Sequence, residues 1–548
     1  MKGVESMNQI RQQTFKDMEA QEFDMLIIGG GITGAGLARD AALRGLKVAL
    51  VEKEDFGYGT SSRSAKLIHG GIRYLANGDI SMVKESARER KILKNIAPHL
   101  IHPLSFVFPL YKGDSKAKYR IGFLLFDKLA NVSRNEHHNV LTSEEVRAYA
   151  PNLRDSLKGG LVFNEYITED ARFTLMNALS AVEYGALIAN HAKAITIQSD
   201  ESDRVIGATI QDTLTKQKYE IKAKITINAT GPWAQQVLED NYFTTQKQLL
   251  LSKGIHIIFP AEKIPITGAI ALKSSDNREG YAIRRNQYIY VGTTDVPHDG
   301  KIDSPTADEE AITSLLHMTQ NCFPESGLER DDIIGTWAGM RPLIMEEGKS
   351  ARDTSRHDEV WKTKEGLLTV AGGKLTTYRN MGKRVMSEVG KSLNIIFSET
   401  NLTAKVKLPG GDISSDFPAF KQEIKDTLKK YHIREETSER LAWFYGSAVH
   451  ELIKYGLEDP VWFEGLNKDV PAIKGEVRHA VEKEMALSLN DFMVRRAALL
   501  LFGNDQDIDT AKSVAEIMRA FLNWDEAEIE RQLNAYNDYV QKHIFQAT

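Results

Sequence analysis

The glycine-rich run Gly29-Gly30-Gly31-Ile32-Thr33-Gly34 constrains the fold of this chain more than any other feature of the sequence. The apolar residues 23–28 before it predict a buried parallel strand, and the small residues after it predict a closely packed helix that ends at Gly45. A second apolar strand over residues 47–51 leads to Glu52. Strand, glycine turn, helix and strand in this order predict a complete βαβ unit.

The spacing within this unit predicts a dinucleotide site. Gly29 permits the tight turn, Gly31 lets the backbone approach a pyrophosphate, and Gly34 lets the helix pack close to the strand. The unpaired N–H groups and the positive dipole end at the start of the helix favour phosphate. Glu52, 23 residues after Gly29, supplies oxygens for ribose hydroxyls. The unit alone suits NAD as well as FAD.

Further strand patterns extend the predicted α/β fold. Residues 225–231 and 367–373 indicate buried strands that end at glycines and return to the first sheet, the second followed by a helix from about Thr376. Residues 250–345 alternate short β-rich runs with turns, which predicts a second, antiparallel sheet. Helical periodicity prevails after residue 411, for example at Val477, Val481, Met485, Leu489 and Phe492.

We therefore predict a Rossmann-like dinucleotide-binding domain interleaved with an α+β substrate domain, plus an all-α C-terminal domain. The expected parts are an N-terminal extension at 1–22 that forms a frayed helix, interleaved domains at 23–407, a linker at 408–411 and helices at 412–548. Within the interleaved domains, the substrate-binding part is expected at roughly 80–160 and 250–345.

Charge and composition exclude several classes of protein. The net charge of -5 gives no basic surface for nucleic acid, and the single cysteine, Cys322, excludes an internal disulfide and a thiolate metal cluster. Residues 1–22 are polar, and no run of 18 apolar residues occurs, so neither an export signal nor a membrane span is expected. These features predict a cytoplasmic protein without a bound metal.

Residues 59–75, with the sequence GTSSRSAKLIHGGIRYL, closely resemble the signature of FAD-dependent glycerol-3-phosphate dehydrogenases. Further motifs follow in the order of that family, namely NATGPW at 228–233, KGIH at 253–256, GTTD at 292–295, GMRPL at 339–343 and AGGKLTTYR at 371–379. Residues 484–485 and 491–496 resemble the closing domain of the family. The resemblance covers the chain from about residue 23 to the C-terminal helices.

The resemblance implies an enzyme that oxidises sn-glycerol 3-phosphate to dihydroxyacetone phosphate, reduces FAD and passes the electrons to membrane quinone. It also implies that FAD contacts the glycine turn, the acid after the second strand, the serine-rich loop and two later glycine turns. The implied FAD-binding residues are Gly29, Gly31, Gly34, Glu52, Thr60, Ser61, Ser62, Ser64, Lys66, Leu67, His69, Gly231, Gly373, Lys374, Leu375 and Thr376.

The chemistry of such a substrate needs a base and several cations. His256 is the predicted base for the hydroxyl proton, and Arg341 is predicted to stabilise the developing alkoxide, which makes the two roles hard to separate. A phosphate dianion needs guanidinium or ammonium groups. The predicted substrate-binding residues are Arg73, Tyr74, Arg341, Arg356 and Lys374, with Arg352 as the alternative to Arg356.

Electron transfer to quinone requires contact with the bilayer, and residues 119–129 combine apolar side chains with flanking cations as in interfacial helices. We therefore expect peripheral association with the inner face of the cell membrane, and leave a homodimer open. Three alternatives remain at this point: a glycerol-3-phosphate oxidase that uses O₂, an amine or amino-acid oxidase of the same fold, and a flavin-binding protein without catalysis.

Overall fold

The computed structural model describes residues 7–72, 75, 78–274, 278–345, 358–468, 470–502 and 508–544. The described strands are β1 (Glu22–Ile28), β2 (Val48–Val51), β3 (Leu67–Ile68), β4 (Ile101–Tyr111), β5 (Asn139–Leu141), β6 (Leu157–Thr168), β7 (Leu187–Ala189), β8 (Ala192–Ser199), β9 (Val205–Asp212), β10 (Lys218–Asn228), β11 (Leu249–Pro260), β12 (Ala269–Lys273), β13 (Glu279–Arg285), β14 (Tyr288–Gly292), β15 (Val296–Pro297), β16 (Gly335–Ile344), β17 (Glu359–Lys362) and β18 (Leu368–Ala371).

The described α-helices are α1 (Met7–Glu19), α2 (Ile32–Leu43), α3 (Ile80–Ile96), α4 (Lys116–Leu129), α5 (Ser143–Tyr149), α6 (Asp170–Glu183), α7 (Ala234–Asp240), α8 (Glu309–Cys322), α9 (Tyr378–Leu393), α10 (Phe417–Lys429), α11 (Glu435–Tyr445), α12 (Val449–Glu458), α13 (Lys474–Glu484), α14 (Leu499–Phe502), α15 (Ile508–Leu522) and α16 (Glu526–His543).

The first sheet contains the predicted βαβ unit. Strand β1 lies between β2 and β10, and all three run parallel. Strand β18 adds in parallel beyond β10, and β7 adds in parallel beyond β2. The antiparallel strands β17, β9 and β8 complete this sheet. The two strands that were predicted to return to the first sheet do so as β10 and β18, which confirms this part of the prediction.

The continuous apolar run of β1 follows from burial on both faces of the sheet. Met25 and Ile27 pack in the core that contains α2, α6 and α9. Leu26 and Ile28 point to the opposite face, where they pack in a second core with Phe15 of α1. Strands of this kind lack the alternation of apolar and polar residues that marks a half-exposed sheet.

Helix α1 differs from the frayed helix expected from the polar composition of residues 1–22. Phe15 and Met18 are fully buried, and the Phe15 ring stacks on Tyr219 at a centroid distance of 4.6 Å. Arg11 adds an ion pair with Asp212 at 2.9 Å. Two apolar anchors and one ion pair therefore hold the helix against the first sheet.

The second sheet follows the order β15-β11-β14-β13-β12-β4-β6-β3, with β16 paired to β11 and β5 paired to β6. Its pairs are antiparallel except for β12 with β4. The long β11–β16 pair places His256 opposite Trp337 and Ser252 opposite Arg341. The predicted antiparallel sheet is confirmed, and it also includes β3, β4, β5 and β6 from earlier in the chain.

Helices α10 to α16 follow the predicted linker and form cores of their own. The helical pattern through Val477 is interrupted, because α13 ends where Met485 adopts a left-handed φ of 55°. A π-helix, Asp491–Arg496, then turns toward the first sheet. The domain boundaries themselves stay a prediction. Within the described ranges, none of the helices has both the length and the apolar character that crossing a membrane requires.

Candidate cofactor cleft and catalytic site

A cleft with a cavity volume of about 380 Å³ lies at the carboxyl ends of the parallel strands of the first sheet. Ligands of open α/β sheets bind at this edge, where loops diverge from neighbouring strands. Four such loops line the cleft, and they follow β1, β2, β10 and β18. The predicted residues that line it are Gly29, Gly31, Glu52, Thr60, Ser61, Ser64, Gly231, Gly373, Lys374 and Leu375.

The glycine turn after β1 has the geometry that its sequence predicts. Gly29 has a φ of 110°, a conformation that L side chains rarely adopt. A Cβ at Gly34 would lie 1.8 Å from the carbonyl oxygen of Gly29, so only glycine allows α2 to pack this close to β1. The first N–H groups of α2 therefore face the cleft, where a pyrophosphate would accept their hydrogen bonds.

Glu52 and Ser61 complete this turn. Glu52 accepts hydrogen bonds from the N–H of Gly30 at 2.6 Å and from the N–H of Glu54 at 3.0 Å. Burial raises the pKa of the Glu52 carboxyl and outweighs these two hydrogen bonds, which lower it. Ser61 Oγ accepts a hydrogen bond from the N–H of Ile32 at 2.9 Å, so the serine-rich loop lies directly over the start of α2.

The serine-rich loop also joins the first sheet to the second. Thr60 donates a hydrogen bond from its hydroxyl to the carbonyl of Met340 on β16 at 2.5 Å. Ser64 donates to the Asp170 carboxylate at 2.7 Å, and its own carbonyl accepts a hydrogen bond from the indole of Trp337 at 3.2 Å. The loop is thereby fixed between the cleft and the strand that carries Arg341.

Lys66 is held by an acid that the sequence patterns did not indicate. Its ammonium contacts Asp170 at 2.6 Å, and both side chains are buried. Asp170 is the first residue of α6 and lies 104 positions away in the chain, so no local motif joins the two. Of the described residues predicted to bind FAD, Gly34, Ser62, Lys66, Leu67, His69 and Thr376 do not line the cleft, and their role stays a prediction.

His256 lies in a buried aromatic environment on β11. Its imidazole stacks on the Trp337 indole at a centroid distance of 4.4 Å and an interplanar angle of 9°. Burial, and then the positive charges of Arg341 and Lys66, hold the pKa of His256 well below its usual value. Its Nδ1 is buried without a hydrogen-bond partner among the described residues. The imidazole is therefore neutral at neutral pH and able to accept a proton.

Arg341 is positioned by the loop that follows β14. Its guanidinium donates to the hydroxyl of Thr293 at 2.7 Å, to the carbonyl of Thr294 at 3.0 Å and to Asp295 at 3.4 Å. The next residue, Pro342, lines the cleft, so Arg341 lies at the border between the cleft and the second sheet. Arg73, Tyr74, Arg352 and Arg356 lie outside the described residues.

Several lining residues were not among the predicted site residues. Lys53 follows Glu52 directly, and Trp233 ends the NATGPW motif, so both had a signal in the sequence. Lys193, Asn241 and Asp303 also line the cleft and have no motif that could have identified them. They come from segments that reach the cleft only through the tertiary fold.

Comparison with known proteins agrees with this geometry. Residues 24–379 match the family described as FAD dependent oxidoreductase, and residues 401–529 match the C-terminal domain of alpha-glycerophosphate oxidase. Aerobic glycerol-3-phosphate dehydrogenase of Staphylococcus saprophyticus is 39% identical over 546 residues, which cover 98% of this chain and 97% of that protein. The chain belongs to the family of FAD-dependent glycerol-3-phosphate dehydrogenases.

Solved structures support the same assignment. Glycerol-3-phosphate dehydrogenase from Bacillus halodurans, complexed with FAD, superposes with a TM-score of 0.83 and 32% identity over 99% of both chains. The L-alpha-glycerophosphate oxidase of Mycoplasma pneumoniae, with FAD bound, shares the fold at a TM-score of 0.53 and 16% identity, with coverage of 71% of this chain and 99% of that one. The predicted family, fold class, enzyme class and FAD cofactor are confirmed.

Proposed function

We propose that this flavoenzyme oxidises sn-glycerol 3-phosphate to dihydroxyacetone phosphate. The observation that carries the proposal is that a buried, neutral His256 lies close to the Arg341 guanidinium, on the adjacent strands β11 and β16, of which β16 borders the cofactor cleft at Pro342. A secondary alcohol needs a base for its hydroxyl proton and a cation near its oxygen, and these two side chains supply both. The relatives named glycerol-3-phosphate dehydrogenase support this substrate.

In this mechanism, His256 accepts the hydroxyl proton of the substrate, while Arg341 stabilises the negative charge that develops on the oxygen. When bound, FAD supplies the hydride acceptor at N5 for the hydrogen that leaves the substrate carbon. The Trp337 indole keeps the imidazole in one plane and shields it from water. Proton and hydride together account for the two hydrogens that the alcohol loses.

Phosphate recognition is assigned to cations in and beside the cleft. Lys374 lines the cleft after β18, and Arg341 lies at its border. We keep Arg73, Tyr74 and Arg356 as proposed contacts on the strength of the motif alone. A dianion needs several such groups, because each cation alone gains little in water.

The test is anaerobic reduction of the bound flavin. Yellow enzyme should bleach on addition of sn-glycerol 3-phosphate, and unchanged flavin absorbance would reject the substrate. His256→Asn should slow the reduction about 10²- to 10⁴-fold with a much smaller change in substrate dissociation. His317→Asn, at an exposed position on α8, is the matched control and should behave as wild type. A loss of binding alone in His256→Asn would remove the base role.

We further propose that the electrons pass to membrane quinone and that α4 touches the inner face of the cell membrane. Ile121, Leu124 and Leu125 are exposed by 66%, 51% and 42% on one stripe of this helix. Exposed lysine and arginine side chains flank the stripe, as in helices that lie on anionic bilayers. A stripe of three large exposed apolar side chains on one helix favours burial in lipid over contact with water.

Sedimentation with vesicles of phosphatidylglycerol and phosphatidylethanolamine tests this contact. Ile121→Glu combined with Leu124→Glu should abolish pelleting and leave flavin reduction by substrate unchanged. Ile396→Glu is the matched control, because Ile396 is 98% exposed on a different part of the surface. Equal loss of pelleting in the control would reject the α4 contact.

The match of residues 401–529 to the C-terminal domain of an oxidase makes O₂ the second candidate acceptor. Substrate turnover in air with a soluble quinone distinguishes the two, since an oxidase accumulates hydrogen peroxide and a dehydrogenase accumulates quinol. A homodimer stays a prediction, which sedimentation velocity would test.

A further inference from the structure

Asp303 lines the cofactor cleft although it belongs to the second sheet's side of the molecule. It lies in the loop at residues 298–308, which joins β15 to α8. The loops that follow β2 and β10 form the walls of the cleft on either side of the glycine turn, because these strands flank β1. A residue that contacts both walls therefore connects the two sides of the cleft across the glycine turn.

Asp303 makes such contacts. Its carboxylate pairs with the Lys53 ammonium at 2.6 Å and accepts a hydrogen bond from the Trp233 indole N–H at 2.8 Å. Lys53 follows β2, and Trp233 follows β10. The backbone carbonyl of Asp303 accepts a third hydrogen bond, from the Tyr58 hydroxyl at 2.9 Å. One residue thus joins its own loop to the segment after β2, through Lys53 and Tyr58, and to the segment after β10, through Trp233.

The partners of Asp303 are themselves tied to the cofactor-binding turns. The Lys53 ammonium lies over the Trp233 ring at 4.3 Å from its centroid, so the two partners of Asp303 also contact each other. The indole lies against the backbone of Gly59, where a Cβ would approach the ring to 2.9 Å. Gly59 opens the serine-rich loop, so the contact extends from one wall of the cleft to the other.

These contacts are weak enough to open. The Asp303 side chain is 69% exposed and that of Lys53 is 29% exposed, and ion pairs this close to water contribute little to folding. Burial raises the pKa of Asp303, but the hydrogen bond and charge of Lys53 outweigh it and lower the pKa, which keeps the carboxylate charged at neutral pH. The pair can therefore break and re-form without loss of the fold.

We propose that Asp303 acts as a latch that retains FAD, because the loop at 298–308 must leave Lys53 and Trp233 before the cofactor can leave the cleft. The contact is assigned to cofactor exchange and not to the oxidation step. It rests on the FAD cofactor of the family and does not depend on the identity of the substrate.

The experiment measures release of FAD from purified holoenzyme, as the recovery of free flavin fluorescence after dilution. Asp303→Ala should accelerate release about 5-fold, the size expected for loss of an exposed ion pair with its hydrogen bonds. Added salt should accelerate release from the wild type more than release from Asp303→Ala, because only the wild type has the Asp303–Lys53 ion pair for salt to screen. Asp299→Ala, an exposed acid on the same loop, is the control and should release FAD as the wild type does.

Lys53→Met gives a second measurement that a change in folding would not imitate. It should also accelerate release, and the effect of the double variant should be smaller than the product of the two single effects, because both variants remove the Asp303–Lys53 ion pair while each also removes its own contact with Trp233. Unchanged release from Asp303→Ala, equal acceleration in Asp299→Ala, or additive effects in the double variant would each overturn the latch. Substrate is absent throughout, so failure here is distinct from failure of the proposed reaction.

Discussion

Gly34→Ala tests how closely α2 must approach β1 for the cofactor to bind. The new Cβ would lie 1.8 Å from the Gly29 carbonyl oxygen and 3.4 Å from Ile27. Ordinary contact needs about 3.5 Å, so the start of α2 must move by about 1.7 Å or the turn must open by as much. The helix cannot move freely, because Gly36 lies against the Tyr378 ring of α9, where a Cβ would approach to 2.4 Å.

Overpacking of this kind costs about 1–3 kcal/mol. We expect a cost at the upper end of this range, because the contact with Tyr378 keeps α2 from moving away. If the turn carries the strain, FAD affinity should fall about 30- to 150-fold. Titration of apoprotein with FAD measures this, with Gly122→Ala as the control, since a Cβ at Gly122 has nothing within 4 Å. If the Gly34→Ala variant binds FAD with an affinity within about twofold of the wild type, FAD binding does not require the close approach of α2 to β1.

Three other changes test the remaining parts of the structure. Arg496→Met leaves the buried Asp55 carboxylate without one of its cations. The free energy of unfolding, measured in urea, should therefore fall by about 3 kcal/mol, and a change near zero would contradict this. Burial lowers the pKa of His102 and of His543 to about 4. The unfolded state therefore binds more protons than the folded state between pH 6.5 and 4. The free energy of unfolding should decrease by about 3 kcal/mol per histidine as the pH falls through this window. A free energy of unfolding that does not change with pH in this window would contradict the prediction. Gly254→Ala would place a Cβ 2.2 Å from the Arg341 guanidinium and displace it. A phosphate-bearing inhibitor should then bind about 10- to 100-fold more weakly while FAD affinity stays unchanged. Equal loss of both affinities would contradict the assignment of Arg341 to the substrate.

The βαβ unit was predictable because each of its parts has a local signal. Burial on both faces makes residues 25–28 of β1 continuously apolar. The left-handed φ of Gly29 requires glycine, and the approach at Gly34 requires the absence of a side chain. The same holds for Gly373, which has a φ of 76° in the later turn. Local conformation and local packing leave a pattern that a single sequence displays.

The partners of the charged residues were not predictable, because no local rule joins them. Lys66 pairs with Asp170 across 104 positions, and Lys53 with Asp303 across 250. The N-terminal helix shows the same limit. Its polar composition predicted fraying, whereas tertiary contacts of Phe15, Met18 and Arg11 hold it against the first sheet. Contacts between distant segments depend on the completed fold, which periodicity does not encode.

The buried ion pairs of the π-helix connect the C-terminal helices to the cofactor site. Arg496 contacts both carboxylate oxygens of Asp55, at 2.7 and 2.8 Å, and Arg495 contacts it at 2.5 Å. Asp55 lies three positions after Glu52, so these arginines fix the segment that carries Glu52, the predicted ribose-binding acid. Without them Asp55 would be a buried charge with no cation among its described contacts, which is strongly destabilising. The C-terminal helices are therefore part of the support of the cofactor cleft, although none of their described residues lines it.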